Sequence, residues 1–131
     1  MSSQDFKYKT QQGSKVPLIP IELSRMDKKM LTDALIDSGA ATTLISCELG
    51  EALGLKHRGE VRKITGAGGK ESIIHMHDLD VELMGEKLNF KFGLPQRRGD
   101  TPYTILGRDT IFERFEIKFR QKETMFTLSD Y

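Results

Sequence analysis

Twice along the chain an extended apolar run enters a glycine turn, and a short helix-forming segment follows. The first copy is "LIDSGAATTLIS" (Leu35 to Ser46), which turns at Gly39 and leads into "CELGEALGL". The second is "YTILGRDTIFERF", which turns at Gly107. Two half-domains related by a pseudo-twofold axis would read this way. Only the first copy carries an acid, Asp37; the second has Ile105-Leu106-Gly107 in the corresponding place. Leu35 and Ile36 ask for burial, and a buried lone carboxylate is costly unless it protonates or finds partners.

The rest of the chain frames these two turns with short strands. "VPLIPIEL" reads as extended, but Pro17 and Pro20 cannot donate to a ladder, which predicts an edge or a bulge. "SRMDKK" is a polar turn into a strand that ends at Asp37. Ser46 is placed to cap a helix over Leu49, Ala52 and Leu53 that stops at Gly54. From Val61 to Ile74 the pattern is strand, glycine-rich tip "TGAGGKE", strand. Leu79, Val81 and Leu83 alternate with acids, and Leu88, Phe90 and Phe92 follow after a turn at Gly85-Glu86. "RDTIFERF" predicts about two helical turns capped by Asp109, and "FEIKF" with "TMFTLS" closes the chain as a hairpin. With no βαβ rhythm, the expected architecture is an all-β domain with two short helices over residues 15–131. Residues 1–14 are polar and are expected to form a loose N-terminal arm.

Composition removes several function classes. The 131 residues fit one domain, and 20 basic against 19 acidic side chains leave a net charge of +1. Such a balance gives no global field for nucleic acid or an anionic membrane, so neither is expected as a partner. Cys47 is the single cysteine, and no apolar run reaches spanning length, which favours a reducing, cytoplasmic or otherwise intracellular setting.

Asp-Ser-Gly alone is good turn chemistry, with the carboxylate capping nearby amides. It would also serve as an exposed recognition motif, but then Leu35, Ile36, Leu44 and Ile45 would lie open. The longer string is more informative. "LIDSGA" resembles the active-site motif of the retropepsin-like aspartic proteases, and the likeness extends over roughly 16–128. "SCELGEALGL" is similar to the helix-forming segment after that motif, "ITGAGGKES" to the glycine-rich flap, and "ILGRDTIFERF" to the apolar-Gly-Arg signature with its helix.

The resemblance implies a single-domain acid protease fold working as a homodimer, without cofactor. Peptide hydrolysis by this route uses two carboxylates around one water, one ionised and one protonated. Two charges about 3 Å apart repel by roughly 5 kcal/mol at an effective dielectric near 20, so the pair shares a proton. This chain offers one such acid, so the second Asp37 would come from another copy. Ser38 would hold the pair rigid, and Gly39 would allow backbone, substrate and water to approach. Ala40 would line a cleft that takes an extended peptide as an added strand. Thr65, Gly66, Ala67, Gly68 and Gly69 would form the flap tip, and Ile105, Leu106, Gly107 and Arg108 the second glycine turn. Many viral members have a second acid where Ala41 stands, paired with the arginine of the Gly-Arg signature; Asp109, Glu113 or backbone are the candidates left for Arg108. A catalytically silent peptide-binding or dimerisation module of the same fold is the alternative, as is a domain governed by neighbours in a longer protein.

Other constellations carry less. "GAGGKE" lacks the first glycine and the final Ser or Thr of a phosphate loop, so a hairpin tip is expected. His75 and His77 alternate on a strand but, with Cys47, His57 and Asp78, form no familiar zinc spacing; two half-exposed histidines and no metal are expected. The phenylalanines from Phe90 to Phe126 sit at core spacings rather than among basic residues.

Overall fold

Alternation of apolar and polar side chains builds the larger of the two main sheets. In the computed structural model, which describes residues 3–100 and 103–131, this sheet runs β6-β7-β4-β5-β9, with β8 also on β7. Its strands are β4 (Leu18–Arg25), β5 (Lys28–Ile36), β6 (Val61–Thr65), β7 (Glu71–Leu83), β8 (Glu86–Pro95) and β9 (Ile105–Leu106). On β7, Leu79, Val81 and Leu83 are buried while Asp78, Asp80 and Glu82 face solvent, and β8 answers with Phe90, Phe92 and Leu94. Each fully buried side chain of this size contributes about 1.5–3 kcal/mol of hydrophobic stabilisation. The β7–β8 turn sits at Met84-Gly85, one residue before the expected place. Both residues have positive φ, the backbone that matches the twist of a two-residue hairpin.

Pro20 is accommodated without being on the sheet's rim. β4 pairs with β5 along Leu18 to Arg25, but β7 reaches β4 only at Glu22, Leu23 and Ser24. Pro20 therefore occupies the part of β4 where the missing N–H has no ladder to break.

The N-terminal residues correct the expected loose arm. β1 (Ser3–Lys7) pairs with β11 (Met125–Asp130), which in turn pairs with β10 (Phe115–Arg120), giving the order β1-β11-β10. β2 (Lys9–Gln11) and β3 (Ser14–Val16) make a separate small hairpin. Phe6 stacks on Phe126 at 5.1 Å, and the Tyr8 amide donates to the Thr124 carbonyl at 2.8 Å. An aromatic anchor every other residue is enough to dock a strand whose remaining side chains are polar.

Both helices are short, and the second, at four residues, is about half the two turns expected. α1 (Cys47–Ala52) is capped by Ser46, whose hydroxyl accepts from the Leu49 amide at 3.4 Å, and the chain leaves it through Gly54 at φ +76°. α2 (Ile111–Arg114) follows Thr110 instead of being capped by Asp109, whose carboxylate is engaged elsewhere. Among the described residues no helix is long and apolar enough to cross a membrane.

Candidate active site

The two glycine turns meet because β5 and β9 lie side by side in parallel. Leu35 is opposite Ile105 and Ile36 opposite Leu106, and the ladder continues into the turn as the Asp37 amide donates to the Leu106 carbonyl at 3.1 Å. Coming out of the second turn, the Arg108 amide donates to the Ala40 carbonyl at 2.8 Å. Each turn thus terminates on the backbone of the other.

A buried hydroxyl pair fastens this crossing. Thr43 and Thr110 sit with their Oγ1 atoms 2.6 Å apart, and the Gly107 amide donates to Thr43 Oγ1 at 2.9 Å. The Thr43 amide donates to Asp109 Oδ1 at 3.0 Å, which explains why Asp109 does not cap α2. A Cβ added at Gly107 would lie 2.6 Å from the Ala40 carbonyl oxygen, so the crossing admits only glycine there. Thr43 and Thr110 brace the crossing, and the sequence reading missed them. The available signal was hydroxyl residues after each glycine turn, Thr42 and Thr43 in "ATTLIS" and Thr110 in "RDT".

Asp37 itself is half-buried in the single chain, and Ser38 and Gly39 are exposed. This corrects the expectation of a buried acid: Ile36 is enclosed, but the chain surfaces at the next residue. Asp37 Oδ1 accepts the Gly39 amide at 2.9 Å, as a turn aspartate would, and that is the carboxylate's one hydrogen bond among the described residues. Arg108 solves its missing-acid problem through backbone, donating from its guanidinium to the Ser38 carbonyl at 2.7 Å. The arginine thereby clamps the exposed peptide next to the acid, with Ala41 uninvolved.

The glycine-rich segment is a hairpin between β6 and β7. The Gly66 amide donates to the Lys70 carbonyl at 2.8 Å, and Gly68 and Gly69 both take positive φ. Nothing lies within 4 Å of a Cβ built at either glycine, so the tip stands clear of the body. At its base Ile64 packs on Leu44, Ile74 and Met76. A cavity of about 290 Å³ separates Ala41 and Thr42 of the acid turn from Lys63, Ile64 and Thr65 of β6. The larger hollow, about 420 Å³, lies over β4, β5, β7 and β8 and holds none of the site residues expected from the sequence.

The histidines are placed differently from expectation. His75 is buried, with Nε2 3.3 Å from Gln96 Oε1, whereas His77 remains half-exposed and contacts the Lys56 carbonyl. The described residues contain no cluster of three or more His, Cys, Asp or Glu suited to a metal ion. Phe90, Phe92, Phe115 and Phe126 are core, while Phe119 is 38% exposed.

Known proteins share this fold. A search of curated proteins finds no match. Among solved structures, EIAV protease complexed with the inhibitor HBY-793 is similar at a TM-score of 0.58 and 24% identity, covering 80% of this chain and 93% of that one. A retropepsin-like aspartic protease from Rickettsia conorii is similar at a TM-score of 0.65 and 20% identity, covering 98% and 99%. At those identities the likeness speaks to the fold, which is that of the retropepsins. The sequence profile described as aspartyl protease matches residues 24–110, a span that opens in β4 and closes at Thr110 with both glycine turns inside it. The chain belongs to the aspartyl protease family.

Proposed function

We propose that two copies of this chain form a homodimeric aspartic endopeptidase in which Asp37 of each copy activates one water. The observation that carries the reading is a half-site. The chain builds two interlocked glycine turns, yet only one presents a carboxylate; the other presents Leu106 and Gly107.

In the dimer the two Asp37 carboxylates would share a proton. The ionised one takes a proton from water as it attacks the scissile carbonyl, and the protonated one donates to the carbonyl oxygen, leaving a neutral gem-diol. Collapse returns a proton to the leaving amine. The Gly39 amide on Asp37 Oδ1 fixes the plane of each carboxylate before the water arrives. Ser38, held through its carbonyl by Arg108, would brace the pair across the axis, and Ala40 would line the floor beneath the peptide. Thr65, Gly66, Ala67, Gly68 and Gly69 would close over an extended peptide and exclude water. The clearance around Gly68 and Gly69 supports such movement.

The deciding experiment compares wild type with Asp37→Asn on a mixture of unstructured peptides, from about pH 4 to pH 7 and across protein concentrations. Wild type is expected to cleave with a rate rising faster than linearly at low concentration, and the variant to lose at least roughly a thousandfold. Dimerisation without cleavage by either protein would instead make the chain a peptide-binding or dimerisation module.

A further inference from the structure

The cavity of about 290 Å³ beside the acid turn has Ala41 and Thr42 on one wall and Lys63, Ile64 and Thr65 of β6 on the other. β6 ends its sheet and is paired only with β7 among the described residues, so the second wall is a free strand edge. Ala41 is four residues past Asp37, at most roughly 14 Å along the backbone. The lining holds one charged side chain, the exposed Lys63, and no carboxylate; Asp37 itself is not among the walls.

That lysine goes unanswered inside the hairpin. Its cross-strand partner is Ile73, itself 40% exposed. The neighbouring Arg62 is the contrast, with Nε 2.7 Å from Glu60 Oε2. Among the described residues Lys63 has no ion pair and the Thr42 hydroxyl no hydrogen bond. Lys63 also borders a second hollow of about 230 Å³, together with Glu71, Ile73, Gln96 and Arg97. Glu71, the acid of the hairpin, faces that outer hollow and not the one beside Ala41. On the acid-turn side the Asp109 carboxylate takes the Thr43 amide, and Arg108 adds a second cation on the Ser38 carbonyl. The cavity is therefore electropositive in a chain whose net charge is only +1.

We propose that Lys63 selects an acidic side chain of the bound peptide, seated between its ammonium and the Thr42 hydroxyl. This rests on the endopeptidase reading above and gives it a substrate class, peptides with Asp or Glu near the cut. The backbone reach from Asp37 to Ala41 sets that acid within about four residues of the scissile bond. A twofold dimer carries the cavity twice, once on each side of the paired acids, so an acid is favoured on both sides of the cut. Charge complementarity of this kind sorts partners more than it adds affinity. An ion pair to an exposed lysine is worth about threefold to fivefold per site.

Peptide pairs that differ only by Glu or Gln at one position test the selection. Starting from a peptide that wild type cuts, one pair is made for each of about four positions on either side of the cut. Wild type at low salt is expected to favour Glu about threefold to fivefold in kcat/KM at one position on each side, chiefly through KM. High salt should erase the preference. Lys63→Met should bring the Glu-to-Gln ratio to unity, and Lys63→Glu should invert it and favour a Lys peptide instead. Because the ratio is the readout, a general loss of activity or of folded protein cancels. If wild type cleaves but shows no preference at any position, or Lys63→Met leaves the preference intact, the selection is overturned while the endopeptidase stands. If wild type cleaves no peptide at any concentration, the endopeptidase reading fails and the selection with it.

Discussion

The two glycine turns share a backbone path and differ in what they deliver. At Gly39 the chain surfaces, Asp37 is half-buried, and a Cβ built on the glycine meets only Asp37 Oδ1 at 3.2 Å. At Gly107 the chain stays enclosed between Leu106, Thr43 and Thr110, and the same imagined Cβ collides with backbone. One turn presents a carboxylate at the surface, the other locks the backbone beneath it. Precision at the acid is therefore a property of the silent turn.

Substituting the two glycines breaks the comparison most sharply. Gly107→Ala must displace the Ala40 carbonyl, with the Thr42 carbonyl group also only 3.1 Å away, and should cost about 3 kcal/mol in denaturant unfolding. Gly39→Ala should stay within about 1 kcal/mol of wild type yet lower kcat by roughly tenfold or more, because the methyl crowds the carboxylate. Equal stability losses for both would erase the proposed division of labour.

Removing the hydroxyl bridge tests the same division more gently. Thr43→Val keeps the shape but leaves the Gly107 amide without its acceptor and Thr110 Oγ1 without its neighbour. A destabilisation of about 2 kcal/mol is expected by chemical unfolding. Arg108→Met removes an exposed contact to the Ser38 carbonyl and should change stability by less than about 1 kcal/mol. Its effect should appear instead as a loss of cleavage at saturating substrate, since it loosens the peptide beside the acid. The smallest change belongs to a position in neither turn. The Thr127 hydroxyl and the Arg120 guanidinium hold the Asp5 carboxyl below its ordinary 3.8. A lowered folded pKa stabilises above 3.8 and is lost as pH falls through the folded value. Asp5→Asn should therefore melt slightly lower near neutrality and converge with wild type in acid.

Local pattern revealed the elements whose partners are near in sequence. The alternation through Leu79, Val81 and Leu83, the Ser46 cap, the closing hairpin and the two glycine turns were all legible, and so was the acid. Residues whose partners are distant were misread. The N-terminal strand looked loose because "SQDFK" is polar, and what orders it is Phe126 and the backbone of β11. Asp109 looked like a helix cap because nothing local shows that Thr43, 66 positions earlier, claims its carboxylate. For Arg108 the backbone was among the candidate partners, but which carbonyl it takes, that of Ser38 70 positions earlier, has no local signal. His75 looked half-exposed, as His77 is; the His57 ring, 5.6 Å away, and Gln96 cover it.

The parallel pairing of β5 with β9 also has a meaning for how the molecule comes to exist. Ser38 and Arg108 are 70 positions apart, and contacts of such separation form late because a long loop must close before they are rewarded. A ribosome-bound chain would carry the acid well before it carried Gly107, Thr110 and α2. During that interval Asp37 sits on a strand end with no second turn to hold it, so the half-site is assembled only after Gly107, Arg108 and Thr110 have been made. The acid turn is thereby left unbraced until the segment that locks it has been synthesised.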